Sequence, residues 1–386
     1  MRKLSLSRQV YLIAHAKRLH SRHLAWKAWR KAKRKSPSGR SVIANRDGTQ
    51  IKATALASIP MPEIFCLDEN TAGTLRFLDG IWDEILQFHD RKPLIRRSKS
   101  QPPVIRRYID FTTVKYISPS AALVLAALFQ RSKVVKGHKL STIDEHKWDP
   151  FVAAVLRAVG FHDLLDMRPL PTWDLTSSGF KILKFQSGTE AVGETPGKLQ
   201  EALAELLPSQ LAENLLTAEP YGGMFEAILN SHSWAYPADY EWNFPVVPYW
   251  WITGAVDTTS NQVTVCAFDQ GVSIPVSLPR WTHWGPFELR GKRLIERLKL
   301  SKPIDHFSND GLAIQLAVKI SRTSTKLPQH GKGLHTMVEV AERARHGRLR
   351  ILSRNGEFTW ETGKKPSSTT HEFPIRGTLV EWQLQL

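Results

Sequence analysis

At 386 residues, with 42% hydrophobic and 23% charged content, the chain has the composition of an ordinary globular protein and the length for two or three domains. Two cysteines in unrelated segments, Cys66 and Cys266, exclude a disulfide framework or a Cys-based zinc site. No apolar run approaches the ~18 residues of a membrane span, and the N-terminus is too basic and too long for a secretory signal, so a soluble cytoplasmic protein is the expectation.

The formal charge of +17 is concentrated at one end, since no acidic residue precedes Asp47. Arg18, Arg22, Lys27, Arg30, Lys31, Lys33, Arg34 and Lys35 crowd this arm, interleaved with Leu19, Leu24, Trp26 and Trp29. The pattern predicts a basic, partly amphipathic helix, with residues 1–60 forming an arm and linker. A nucleic-acid phosphate backbone is the natural partner, ahead of an anionic membrane surface or an acidic protein.

Residues 61–170 alternate strand and helix. Glu63–Leu67 reads as a strand, Thr71–Phe88 as a helix, Val104–Phe111 as a strand, Ala121–Val135 as a strongly apolar helix, Gly137–Ile143 as a strand and Phe151–Leu165 as a helix broken at Gly160. The strand ending in Asp110, the turn Ile117-Ser118-Pro119-Ser120-Ala121 and the closing Val159–Leu165 resemble a STAS domain, the fold of anti-sigma-factor antagonists. In that family the turn usually reads Asp-Ser-Ser-Gly and its first Ser accepts phosphate. Here Ser118 and Pro119 hold the first two places, leaving Ser120 as the nearby hydroxyl, so a binding or scaffolding role towards a protein partner is expected instead of a phospho-switch.

After a Pro- and Ser-rich boundary near residues 169–178, Phe180–Phe185 reads as a strand opening a last domain, 171–386. Within it, Glu226-Ala-Ile-Leu-Asn230-Ser-His-Ser-Trp-Ala-Tyr236 puts a carboxylate and a carboxamide one helical turn apart on one face. Such a pair can hold a hard cation through the Asn carbonyl while the Glu orients a water, although an exposed polar stripe gives the same spacing. Gln262–Asp269 alternates as a strand ending in a carboxylate, and Gly271 permits a tight turn. Gly331-Lys332-Gly333-Leu334 opens a helix reaching about Arg345, where backbone N–H groups and the helix dipole favour an anion. No Walker A spacing competes for phosphates.

In this order the three segments resemble the GHKL ATPase superfamily of gyrase, histidine kinases and MutL, a two-layer α/β sandwich, over about residues 180–386. Gly347–Ser353 and Gly377–Leu384 resemble its closing strands. The fold class is thus mixed α/β (α+β), a STAS-like mixed sheet followed by this sandwich. The resemblance implies ATP and Mg²⁺ as ligands, with Asn230 on the metal, Glu226 as general base or water-positioning residue and Asp269 accepting the adenine amine. It places Gly271 against the ring, Gly331, Lys332, Gly333 and Leu334 over the phosphates, and Thr378 near the adenine. Val276–Gln329 would be the ATP lid, with Lys292, Arg293, Arg297, Arg322 and Lys326 available for phosphates.

Three positions depart from the family pattern: Ser273 and His335 replace glycines, and Trp234 stands where His or Asp is common. The implied function is a Mg-dependent ATPase switch of a bacterial regulatory type. The alternatives are an anti-sigma-factor-type serine/threonine kinase and a catalytically silent, nucleotide-gated module. Members of the superfamily often dimerise, which makes a homodimer an expectation. If the arm binds nucleic acid, deleting residues 1–40 will weaken DNA or RNA affinity and flatten its salt dependence in a titration across ionic strengths.

Overall fold

The computed structural model describes residues 39–46, 48–87, 103–105, 107–137, 141–167, 175, 178–280, 284–323 and 333–386. The basic candidates Arg18 to Lys35, most of the 169–178 boundary, Gly331 and Lys332 lie outside the described residues. Among those described, no helix is long and apolar enough to cross a membrane.

The N-terminal half is built from short strands around one apolar helix. Its elements are β1 (Arg40–Arg46), β2 (Thr49–Ala55), β3 (Ser58–Pro60), β4 (Ile64–Phe65), α1 (Thr71–Gln87), β5 (Val104–Ile105), β6 (Tyr108–Asp110), β7 (Tyr116–Ile117), α2 (Pro119–Lys136), β8 (Thr142–Ile143), α3 (Pro150–Ala158) and α4 (Phe161–Leu164). One mixed sheet runs β5-β2-β1-β8, and β3 with β6 and β4 with β7 form separate parallel pairs. Residues 40–60 are therefore strands and not linker: the alternation of Val42 and Ala44 on β1 and of Ala53 and Ala55 on β2 buries one face of this hairpin. The expected Val104–Phe111 strand divides into β5 and β6, and Asp110 then caps a single 3₁₀ turn through the Thr112 N–H.

Helix α2 is apolar on every side from Ala121 to Phe129, and all of these residues are buried. Ser118 caps its start by accepting from the Ala121 N–H, Pro119 occupies the first turn, and Gly137 ends it at φ +68°. Ser120 is 1% exposed, and its hydroxyl lies 3.2 Å from that of Ser118. The turn is thus a helix cap inside the core, which fits a structural role better than modification.

The C-terminal half comprises β9 (Phe180–Ile182), β10 (Gln186–Gly188), α5 (Glu194–Ala204), α6 (Ser209–Leu215), α7 (Ala218–Asn230), β11 (Trp250–Asp257), β12 (Gln262–Asp269), α8 (Ile274–Ser277), α9 (Trp284–Leu298), α10 (Asp310–Thr323), α11 (Gly333–Arg343), β13 (His346–Ser353), β14 (Gly356–Glu361), β15 (Ser367–Thr370) and β16 (Thr378–Gln385). Its antiparallel sheet runs β10-β11-β12-β16-β13-β14-β15, with β9 also on β11.

Alternation along the strands sorts the side chains onto two faces. Ile252, Val265, Val380, Trp382, Leu349 and Ile351 meet α5, α7, α10 and α11. Trp251, Cys266, Phe268, Leu379 and Leu352 share one core with α1, α2 and α3. The N-terminal half therefore forms a layer on the back of this sheet, and the apolar core runs through the boundary expected near 169–178. The proposed lid is also mostly built structure: Phe287 of α9 and Ala313, Ala317 and Ile320 of α10 bury a core of their own, and α10 packs on β14 and β15. Lys292, Arg293 and Arg297 are exposed on α9, Lys292 pairing with Glu288, whereas Lys326 and the Arg322 side chain lie outside the described residues.

Polar ties cross the junction. Arg348 grips Asp68 through two hydrogen bonds of 2.7 and 3.0 Å, Arg350 donates to the Leu67 carbonyl at 2.7 Å, and Arg376 reaches Asp79 at 2.7 Å. Arg350, almost wholly buried, also holds Glu357 at 3.0 Å. Burial pushes the Glu357 carboxyl up, but the His371 hydrogen bond at 2.7 Å and the Arg350 charge outweigh it and bring the pKa down to about 2. A depressed carboxylate stabilises the fold above its unfolded pKa and loses that contribution as pH falls towards the folded value. Glu357→Gln should thus cost about 3 kcal/mol at neutral pH. In denaturant titrations the gap from the parent should narrow as pH drops from 4.5 towards about 2.

Candidate functional site

The site is assembled where α7, the end of β12 and the start of α11 meet. Helix α7 buries Met224, Ala227 and Ile228, which leaves Glu226 and Asn230 half-buried on its other side. Close approach to α11 depends on Gly223, where a Cβ would collide with Val340. After Asn230 the chain continues as a π-helical turn, Ser231–Ala235, so the expected single helix to Tyr236 widens at its end. Trp234 projects from this turn, 37% exposed.

Gly333, at the first position of α11, lies directly over the Glu226/Asn230 pair. A Cβ there would come within 2.6 Å of Glu226 Oε2 and 3.2 Å of Asn230 Nδ2. A larger residue there would push the Glu226 carboxylate aside. Leu334 is half-buried against the helix-side core, and His335 sits in the first turn with Nε2 3.4 Å from Glu339. Burial pushes the Glu226 carboxyl above its ordinary value of 4.5.

Asp269 ends β12 on the helix-facing side, almost wholly buried. Strand register sets it beside Thr378 of β16, and Thr378 beside Ser353 of β13. Hydrogen bonds knit this row: Ser353 Oγ lies 2.8 Å from Thr378 Oγ1 and accepts from the Ile274 N–H at 2.8 Å. Asp269 accepts from the Gly271 N–H at 2.9 Å and from the Ser231 hydroxyl at 3.2 Å. Burial nevertheless dominates and raises its pKa to about 6, against the lowering by Gly271, Ser231 and Thr378. A raised carboxyl stabilises the fold below its unfolded value and loses that contribution as pH rises through the folded value. Keeping Asp269 ionised at pH 7 thus costs the fold about 3 kcal/mol.

Gly271 packs so tightly on Ala235 that any Cβ would strike its carbonyl, and the Val272 N–H donates to that same oxygen at 2.8 Å. The segments carrying Asn230 and Asp269 are thereby locked together. Sequence reasoning had brought forward Glu226, Asn230, Asp269, Gly271, Gly333 and Thr378, and the fold gathers them at one end of the sheet. It had not brought forward Ser231, Ser353 or Tyr236. Adjacency to Asn230 was a signal for Ser231, whereas Ser353 joins only through strand register.

Ser273 departs from its expected glycine at a structural cost. Its backbone adopts φ +83° and ψ 158°, a region that essentially only glycine occupies at ease. The side chain is buried and its hydroxyl finds no hydrogen-bond partner among the described residues. No family model, curated protein or solved structure matches the chain. Ser273→Gly should raise unfolding stability by about 1–3 kcal/mol. Ser273→Ala, which keeps the strained backbone, should gain less in the same denaturant titration.

Proposed function

We propose that the C-terminal half binds Mg-ATP and hydrolyses it as a switch. The observation that carries this reading is the meeting of Glu226, Asn230, Asp269 and Gly333 at one end of the sheet, from three segments spread over more than a hundred residues of sequence. The residues present suit such a ligand. Asp269 is a buried acceptor with capacity for an exocyclic amine, and its neighbours Thr378 and Ser353 offer further polar atoms. The start of α11, with Gly333 on the N-terminal turn, suits phosphate oxygens.

In this reading Asp269 selects the base, the amine donating to its carboxylate. The Asn230 carbonyl would hold Mg²⁺, which would supply positive charge to offset that of the phosphates. Glu226, made more basic by burial, accepts a proton from an attacking water and orients it. The water oxygen forms a bond to the terminal phosphorus as the bridging oxygen of the departing diphosphate leaves. The products are ADP and inorganic phosphate. A residue whose pKa is raised by burial rather than by a neighbouring charge suits this role, because it returns the proton to solvent once the site opens.

Glu226→Ala should lower phosphate release by roughly 10²- to 10⁴-fold while ATP affinity, read by calorimetry, stays near the parent value. Unchanged turnover in that variant would sink the assignment of the base. ATP affinity of the parent should fall as pH drops through about 6, because protonated Asp269 no longer accepts fully from the amine. Asp269→Asn should weaken ATP roughly tenfold to a hundredfold. It should also abolish that pH dependence, yet unfold at pH 7 no more readily than the parent, since the buried charge is gone.

A further inference from the structure

We propose that Arg131, supplied by the N-terminal half, is a positioning residue for the base-binding end of the nucleotide site, so that this site is complete only when both halves are joined. The inference rests on the nucleotide reading above and extends it to a residue of α2 that no motif marks. Arg131 is 2% exposed. Its guanidinium carbon lies 4.2 Å from the Trp82 ring centre and 4.8 Å from the Phe244 ring centre, in the corner formed by these two edge-on rings. Two of its nitrogens, Nε and Nη2, donate to the Pro245 carbonyl at 3.2 and 2.9 Å. A buried guanidinium needs such acceptors, and a fork closing on one carbonyl fixes where that carbonyl must be.

Pro245 belongs to the connection from the π-helical turn to β11, residues 236–249, which is largely irregular. Tyr236 ties the two ends of this connection. Its hydroxyl donates to the Tyr249 carbonyl at 2.6 Å and accepts from the Gln270 N–H at 2.8 Å, immediately beside Asp269. Burial, followed by the charge of Asp269, pushes the Tyr236 phenol well up, so it remains a donor throughout the working pH range.

Ring packing traces the same route independently. Trp82 of α1 meets Phe244 edge-on at 5.5 Å, Phe244 meets Trp242 at 5.8 Å, and Trp242 meets Tyr236 at 6.1 Å. Gln130, next to Arg131, accepts from Trp251 Nε1 at 2.6 Å and donates to Ser187 at 3.1 Å, fixing β11 and β10 to the same helix. The wall behind Asp269 is thus held from the N-terminal half by a charge-aromatic clamp and a run of rings.

Lysine retains the charge of Arg131 but neither its planar group nor the fork. The full chain, its Arg131→Lys variant and an Arg348→Lys control should be compared by calorimetric titration with Mg-ATP and Mg-GTP. Arg348 also crosses the junction, to Asp68, but lies away from the Asp269 end of the sheet. Arg131→Lys should weaken ATP roughly tenfold and erode the preference for ATP over GTP, whereas Arg348→Lys keeps that preference. A merely destabilising change would reduce the fraction of binding-competent protein and leave the preference of the remainder intact. Phe244→Leu breaks the ring path with the fork in place and should also erode the preference, which guards against an Arg131 variant that fails to fold. Parental preference in both the Arg131 and Phe244 variants, or equal erosion in the Arg348 control, would overturn the proposal. Failure of the parent to bind ATP would instead overturn the nucleotide reading on which it rests.

Discussion

Burial of an antiparallel sheet on both faces is the constraint from which the rest of this molecule follows. Strands β11, β12, β16 and β13 pair through registers of eight residues each, so every side chain is committed to one layer or the other. One set meets the helices that carry Glu226, Asn230 and Gly333, and the other meets the helices of the N-terminal half. A slip of one residue in β12 would turn Asp269 to the back of the sheet and bring Phe268 to the site. The polar row Asp269, Thr378 and Ser353 is simply where the apolar layer of the helix face stops. The candidate site is the polar end of that layer.

That end is held at a cost in stability. Asp269 is buried where its ionised form is disfavoured, and Ser273 occupies a backbone region suited to glycine. Such costs persist when surrounding contacts over-determine the geometry. Here Ala235 clamps Gly271 and Val272, Tyr236 holds Gln270, and Ser353 holds Ile274. Five consecutive residues after β12 thus have a stated partner or an enforced conformation. These contacts hold the turn after β12 in place despite the cost.

The N-terminal half has the strand and helix alternation of a separate domain but the packing of a third layer. Its longest apolar helix is buried all round because α1, α3 and α4 of its own half and β11 and β12 of the sheet together cover it. Such a helix could not stand exposed in an isolated unit. Ser120 illustrates the consequence, since its hydroxyl, beside that of Ser118 at the start of α2, is sealed in the core. Any signal crossing between the halves has a packed route available at Arg131 and the rings beside it, and needs no mobile linker.

By itself the sequence determined the local elements and the candidate residues. Apolar alternation gives β12 nearly to the residue, and spacing of four puts Glu226 and Asn230 on one helical face. Gly271 and Gly333 announce places where a backbone must pass close to something. Tertiary structure decided what those places touch. Residues 40–60 read as linker because their small alternating residues carry little hydrophobic signal, yet hairpin pairing makes them strands. Residues 276–329 read as a lid through the resemblance and their basic residues, while Phe287, Ala313 and Ala317 bury a core visible only once α10 lies on the sheet edge. Ser353 and Arg131 could not be found by spacing. One reaches the site through cross-strand register and the other through packing between halves, and both are long-range consequences of burying a two-faced sheet.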